Sequence, residues 1–544
     1  MSADSLFVFP EDTKRTSGKE ALRLNIMAIR ALAETLRTTL GPKGMDKMII
    51  NTLGEITVTN DGFSILNAMT IKHPAAQVLV EAARAQQDRV GDGTTTVAVL
   101  TAELLKRAED LIDQNVHPTV IGRGYRAAHR HAAQILREIA EPVSAHDEDL
   151  LRSIAVTAMT GKGAEAARAT LGRLVLEAVQ RVTREDPGGT HTDLDGIKVK
   201  RRVGTSSEES ELIDGVVLDR GCAHPLMPES VKDARIALLD CEIDVPELET
   251  EAQIQITDPA ALTAFLRQEE AGLADLVRTV TERGVTALFC QRSVHEAASY
   301  HFARAGVMVV PRVAKSDLQR LARATGARIV SNPRTLEGDD LGVAGVVREA
   351  RVGDSEMTFV EGCPNTHAVT VLACGGTAQA AEEVRRVLDD AMRDVASVLR
   401  LRRAVGGAGA VELEVARRLR AVAGTLQGKD RLAVQAFAAA LDVVPRTLAE
   451  NAGLDPIDVM SALELAHERG QRWAGVDVST GQVLDSWNEG IVEPLEIKTQ
   501  ALGSATEVAV MILRIDDVIV SEMIPRESPG SARSGPPGTH GPSS

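Results

Sequence analysis

The chain has 544 residues, 44% of them hydrophobic and 25% charged, with a formal net charge of −16 and a pI near 5.4. At roughly 100–200 residues per domain this allows about three domains with sizeable cores. The acidic balance argues against nucleic-acid binding, which needs a basic face, and against adhesion to anionic membranes.

Lys19 to Leu40 reads as an amphipathic helix, with Leu22, Ile26, Ile29, Leu32 and Leu36 at helical spacing, ended by Gly41-Pro42. Met48–Ile50 and Ile56–Val58 predict a hairpin around Leu53-Gly54-Glu55. After the turn signal Asn60-Asp61-Gly62 comes a helix, then another over His73 to Arg89. A break at VGDGTTT follows, and then a helix over Thr96 to Asp113. Residues 145–215 are mixed. From 216 to 369 the apolar runs ARIALLDCEI, TALFC, VMVVP and ARIVS alternate with polar or helical stretches, an α/β layout. Pro246 to Arg283 holds a charged stretch and then an amphipathic helix carrying Leu262, Phe265, Leu266, Leu273, Leu276 and Val280. Ala378 to Ala404 is one long charged helix, and the chain is helical from Gly406 to about 470. A short β-rich piece (GVDVSTGQVLD) and a last helix over Thr506 to Leu513 follow. The Ser/Gly/Pro tail from Ser528 is expected to be disordered.

The five cysteines (Cys222, Cys241, Cys290, Cys363 and Cys374) are odd in number, widely spaced and form no CxxC pair. They read as reduced core thiols, which suits a cytoplasmic protein. The N-terminal segment shows no signal-peptide pattern, and no apolar run approaches the ~20 residues of a membrane span. With aromatics at 2% of the chain, platforms for stacking single-stranded bases are also missing.

Three glycine-containing breaks fall close together: LGPKG (Leu40–Gly44), TNDG (Thr59–Gly62) and GDGTTT (Gly91–Thr96). Any one of them alone is an ordinary turn. Together they can aim backbone N–H groups and a helix N-terminus at phosphate. Asp92 has the chemistry of a Mg²⁺ ligand, because that ion takes one or two carboxylates plus phosphate oxygens and water. The P-loop pattern GxxxxGK[ST] is absent. From spacing alone the reading stops at a phosphate site of unusual type.

LGPKGMDKMIIN, TNDG, HPAAQVLVEAA, VGDGTTT, MTGKGAE, TDPAALTAFLRQEE and IKTQALGSATEVAVMILRIDDVI resemble group II chaperonin sequence, of the archaeal thermosome and eukaryotic cytosolic type. The resemblance covers residues 8 to 525. It implies a multidomain fold. A mainly α equatorial ATPase domain with a β-hairpin would span 1–143 and 404–525. A mixed α/β intermediate domain would span 144–215 and 370–403, and an α/β apical domain with a helical lid protrusion 216–369. Residues 526–544 would be a tail.

The resemblance also implies site residues. Thr39, Leu40, Gly41 and Pro42 would lie against the nucleotide, Asp92 would ligate Mg²⁺, and Gly93, Thr94, Thr95 and Thr96 would cradle phosphate. Asp61 and Asp390 would be catalytic, and Lys162 would sense the γ-phosphate. Gly407 and Ala408 would approach the adenosine, with Asp477 and Val478 at the adenine and Glu493 on the ribose. Ala408 replaces a family glycine, and costs roughly a kcal/mol or more if its φ is positive.

The implied activity is ATP- and Mg²⁺-dependent folding of unfolded proteins inside stacked rings of eight or nine subunits. Paralogous subunits are possible partners, and no separate lid protein is needed. Apolar surface near Leu262–Leu266 and along His295–Phe302 is the expected client-binding face. A chaperonin-shaped scaffold with weak or lost ATPase is the alternative. An unrelated small-molecule kinase is a third reading.

Overall fold

The computed structural model describes residues 14–520 apart from 51–53, 55, 164, 187–188, 245–258, 353–354 and 365–367. Its first long helix, Gly18–Arg37, forms because Leu22, Ile26, Ile29, Leu32 and Leu36 share one face, and all five are buried. It ends at Arg37 rather than at the predicted Leu40. The chain turns at Thr38, and Thr39 Oγ1 donates to Leu36 O at 2.8 Å. The hairpin is Lys47–Ile50 against Ile56–Thr59, antiparallel. Helices Pro74–Val90, Thr94–Asp113 and Pro118–Ile139 follow.

These helices share a core with Ala410–Thr425, Gly428–Leu441, Val443–Asn451 and Leu495–Leu513 from the far end of the chain. The two ends are also tied directly, since Lys14–Ser17 pairs antiparallel with Asp517–Val520. Leu495–Leu513 starts well before the predicted Thr506. It is buried nearly all round, from Leu495 and Ile497 to Ala509 and Ile512, so no amphipathic stripe marks its beginning.

A second core joins helices Glu148–Met159, Arg168–Val182 and Ala378–Leu401 to a sheet of Ile197–Val203, Val369–Gly375 and Glu211–Ile213. Val143, Ala404 and Val492 also pack into it.

The middle of the chain builds a seven-stranded mixed sheet. Its order is Met308–Val310, Ala287–Cys290, Ser230–Leu239, Gly342–Val352, Ser355–Glu361 and Gly215–Leu218, with Ile329–Val330 pairing parallel to Ser230–Leu239 off this path. All four apolar runs read from the sequence are in it. Ile236 and Leu238 enter one core and Ala237 and Leu239 the other, because successive side chains leave a strand on opposite faces. Burial on both faces explains runs without alternation.

Helix Pro259–Glu282 lays Leu273, Leu276, Val277 and Val280 on this sheet. The charged stretch before it and the side chains of Leu262 and Leu266 lie outside the described residues. The expected client face along His295–Phe302 needs correction. On helix Glu296–Arg304, Ala298 and Phe302 are fully buried, and the exposed large side chain is Tyr300.

The expectation about long apolar runs is also corrected. Among the described residues, Gly428–Asn451 is a 24-residue helical stretch apolar enough to cross a membrane by length and composition. Asp442 interrupts it, and 67% of its most apolar window is buried inside the protein, as in a core helix. All five cysteines are free, and burial pushes Cys290 up to about 12 and Cys363 to about 11, so those two sit as unreactive thiols.

Candidate functional site

The three glycine breaks converge on one cleft of about 710 Å³. Thr39, Leu40, Gly41 and Pro42 form one wall. Their loop is closed by Met45 N donating to Thr38 O at 2.8 Å, and Asn451 Nδ2 donates to Leu40 O at 2.8 Å. Gly41 has φ +85°, and a Cβ there would come 2.2 Å from Leu448 Cδ2, so only glycine fits.

Asp61 caps helix Gly62–Ala68 by accepting from Ser64 N at 2.7 Å. Gly62 brings that helix against the next break, where a Cβ would meet Thr95 Oγ1 at 2.4 Å. Gly91 and Gly93 take φ of +84° and +81°, and helix Thr94–Asp113 starts at once. The helix begins at Thr94 rather than the predicted Thr96. Its first N–H groups have no intrahelical acceptor and face the cleft with the positive end of the helix dipole. Gln86 Nε2 holds Asp92 O at 2.8 Å and fixes the turn.

Lys162 stands in the loop after helix Glu148–Met159. Its Nζ lies 3.2 Å from Asp92 Oδ1 and 3.0 Å from Asp390 Oδ2. Burial works against its ammonium, but Asp390, Asp92 and Asp61 outweigh it and hold its pKa well above the usual lysine range. Burial pushes Asp390 up to about 7; Lys162 opposes this, while Asp61 and Asp92 add to it. The two directions agree physically. One ammonium faces three carboxylates, and each carboxylate has like charges beside it.

Asp390 does not line the cleft. It sits behind Lys162, where Gln87 Nε2 donates to its Oδ1 at 3.2 Å. A long charged helix such as the one read over Ala378–Ala404 would leave it in solvent. In the fold it is buried, and Arg386, one turn earlier, pairs with Glu383. Asp394, one turn on, does line the cleft. It is buried, and its Oδ1 has no hydrogen-bond partner. Burial, with Asp92 next in weight, raises its pKa well above the usual carboxylate range.

The opposite wall is Ala408, Gly409, Asp477, Val478 and Glu493. Ala408 has φ +56°, so the departure from glycine falls on a left-handed position. Ala408 O accepts from Val476 N at 3.0 Å, and Gly407 N donates to Ile491 O at 2.8 Å. Gly407 does not itself line the cleft, but a Cβ there would come 2.7 Å from Glu493 Oε1. Asp477 spends its carboxylate on its own turn, accepting from Thr480 Oγ1 at 2.6 Å and Ser479 N at 2.8 Å. Those bonds lower its pKa. Glu493 is 2.7 Å from Lys498, which also reaches Glu412 at 2.9 Å. Sequence reasoning missed Asp394 and Lys498, each of which looks like one charge among many on a helix. Glu412 closes the glycine-rich stretch Gly406–Glu412, read from the resemblance as approaching the adenosine, but had no role of its own.

The sequence pattern of the TCP-1/cpn60 chaperonin family matches residues 32–523. The chain is 50% identical over 537 residues to thermosome subunit beta of Archaeoglobus fulgidus, covering 99% of this chain and 98% of that protein. It is 52% identical over 516 residues to a thermosome subunit of Methanopyrus kandleri, covering 95% of each. The open-state monomer of a group II chaperonin from Methanococcoides burtonii superposes with a TM-score of 0.59 at 43% identity, over 78% of this chain and 100% of that one. With a cleft where the three glycine breaks meet the far stretch of sequence, and relatives of this closeness along nearly its full length, the chain belongs to the TCP-1/cpn60 chaperonin family as a group II chaperonin subunit.

Proposed function

We propose that this subunit works as a motor in which ATP binding and hydrolysis in the cleft close a folding chamber. As a chaperonin subunit the chain assists protein folding, and it is an ATPase. The observation that carries the finer reading is the Asp92–Lys162–Asp390 clasp, which joins a turn of the first core to two segments of the second.

In this reading residues 1–143 and 404–525 are the equatorial ATPase domain. Residues 144–215 and 370–403 are the intermediate domain, and 216–369 the apical domain with its lid protrusion. Thr39–Pro42 and Gly93–Thr96 hold ATP phosphates. Gly407, Ala408, Asp477 and Val478 border the nucleoside, and Glu493 takes the ribose hydroxyls. Asp92 has the oxygen donors that suit Mg²⁺, and among the described residues no ready-made cage of three acidic, His or Cys side chains competes for it. A bound Mg²⁺ would neutralise phosphate charge there, with substrate oxygens and water completing its shell.

Lys162 moves from the two carboxylates toward the γ-phosphate. That frees Asp390 to orient or deprotonate the attacking water, with Asp61 on the other side. Transfer of this kind depends on positioning and electrostatics more than on covalent chemistry.

The ring reading has support from Archaeoglobus fulgidus, whose alpha and beta thermosome subunits are 47% and 50% identical to this chain. We assign stacked rings of eight or nine, alone or with paralogues, acting in the cytoplasm on unfolded proteins without a separate lid protein.

The test is phosphate release with Mg-ATP by rings sized by native light scattering. Asp390→Ala should still bind ATP but turn over roughly 10²–10⁴-fold more slowly, the usual contribution of a general base. Undiminished turnover removes Asp390 from the chemistry. A megadalton particle that never hydrolyses ATP favours the scaffold reading, for which strained Ala408 is the motivating observation.

A further inference from the structure

Glu412, Glu493 and Lys498 come from three segments at the nucleoside end of the cleft: the first turn of helix Ala410–Thr425, the strand Val492–Pro494, and the first turn of helix Leu495–Leu513. Lys498 Nζ is 2.9 Å from Glu412 Oε1 and 2.7 Å from Glu493 Oε2. The Lys498 side chain is 10% exposed and that of Glu412 6%, while Glu493 keeps 23% of its surface open toward the cleft. Glu412 Oε2 is buried without a hydrogen-bond partner, so Lys498 is the charge that makes burying Glu412 tolerable.

Glu493 has two oxygens with different surroundings. Lys498 takes Oε2. Oε1 points at Gly407, where there is no side chain to block it. An ion pair on one oxygen fixes the rotamer and so the direction of the other. Burial, with Glu412 beside it, pushes Glu493 toward the neutral form, and the Lys498 ammonium is the cation that counters this.

We propose that Lys498 is a positioning residue for nucleotide selection: it fixes the direction of Glu493, so that the free carboxylate oxygen reads the ribose hydroxyls of the bound nucleotide. This rests on the reading of Glu493 as the ribose carboxylate. Lys498 also lines the cleft, but its ammonium is taken up by the two carboxylates, so it acts through Glu493. A residue in this role sets KM for the sugar and leaves the chemical step alone.

The experiment compares steady-state phosphate release from ATP and from 2′-deoxyATP by assembled full-length rings. Hydrogen bonds to a charged group differ enough from none that the wild type should prefer ATP by about tenfold in KM. Lys498→Met should remove most of that preference, raising KM for ATP about tenfold while changing kcat less than about threefold. Lys498→Arg should keep most of it.

Because Lys498→Met strands two carboxylates, the double variant Lys498→Met/Glu412→Leu gives the same readout with only the cleft-facing carboxylate left. Glu493→Gln separates the two claims. If Glu493→Gln loses the preference but Lys498→Met and the double variant keep it, the positioning role of Lys498 is refuted and Glu493 stands. If Glu493→Gln keeps the wild-type preference, or the wild type has none, the ribose reading fails and takes the positioning role with it. Equal KM increases for both nucleotides in Lys498→Met would mean that Lys498 meets the phosphates, and would also overturn the proposal.

Discussion

Two lysines in this protein each stand between two carboxylates. Lys162 lies 3.2 and 3.0 Å from Asp92 and Asp390 at the proposed phosphate end of the cleft, and Lys498 lies 2.9 and 2.7 Å from Glu412 and Glu493 at the proposed nucleoside end. The chemistry is the same, but the wiring differs. Lys498 and its partners all sit on segments within 412–498, and the strand bearing Glu493 is hydrogen-bonded to Arg403–Gly406 just before Ala408. Lys162 and Asp390 sit on segments of the second core, whereas Asp92 is in the turn between two helices of the first. A clasp between two cores can open while both stay folded. A clasp inside one packed region opens only if that region does. Charge alone therefore does not tell a switch from a brace; the attachment of the partners does.

The largest expected effect comes from cutting each clasp in turn. Lys498→Met leaves two carboxylates packed together, one with an oxygen already unpartnered, and breaking a buried pair of this kind costs about 3–5 kcal/mol. Lys162→Met should cost less, because it strands only one buried carboxylate, Asp390, while Asp92 is 31% exposed and regains water. Urea unfolding followed by the two tryptophans reads this difference where it matters, since Trp473 and Trp487 stack at the nucleoside end. Equal losses from the two variants would show that the clasps are wired alike.

The next effect is in pH. Asp390 accepts a proton only when ionised, and burial has pushed its pKa up to about 7. The neutral, idle form therefore dominates on the acid side, and kcat/KM should rise through about pH 7, falling roughly tenfold per unit below it. Lys162 is the cation that holds this pKa down. Without it the carboxylate is harder to ionise, so Lys162→Met should move the rising limb to higher pH on top of any loss in rate. Lys498→Met should leave the limb in place, because the leading influences on the Asp390 pKa are burial, Lys162, Asp61 and Asp92. A limb that shifts in Lys498→Met and not in Lys162→Met would reverse the assignment of brace and switch.

The same contrast marks how far the sequence could be read. Strands such as Ala287–Cys290 and the hairpin at Lys47–Thr59 were legible, because continuous apolar runs and turn residues mark them locally. The glycine breaks were legible as a set that converges, and Gly41, Asp61, Asp92 and Thr94 do meet in one cleft. Asp390 was not legible from periodicity. Its helix carries apolar residues on one stripe and charge on the other, and a charged stripe reads as solvated unless something covers it. What covers it here includes Lys162 and Gln87, both more than 200 positions away in sequence, and only the family resemblance pointed to this site. Lys498 and its pairing with Glu412 left no signal, because a buried ion pair between distant segments looks like two surface charges until the chain is folded. The early start of helix Leu495–Leu513 was hidden for a related reason: burial on all sides erases the stripe by which a helix is recognised.

The smallest expected effect tests the wall between the two clasps. Ala408 is held at φ +56°, a conformation that costs a residue with a Cβ about 1–2 kcal/mol. Glycine loses roughly 0.5–1 kcal/mol more than alanine in backbone entropy on folding, so Ala408→Gly should stabilise by only about 0.5 kcal/mol. Its neighbour makes the strain easier to see. A Cβ added at Gly475 would come 2.8 Å from Ala408 Cβ and 3.0 Å from Ala408 O. Gly475→Ala should therefore be costly alone and less costly in the Ala408→Gly background, since one of the two collisions is gone while the carbonyl contact stays. A coupling of about 0.5–1.5 kcal/mol in that double-mutant cycle is the expected size for residues in contact. Additive effects would mean that the two backbones part easily, and that the nucleoside wall is not the rigid partner the Lys498 clasp is braced against.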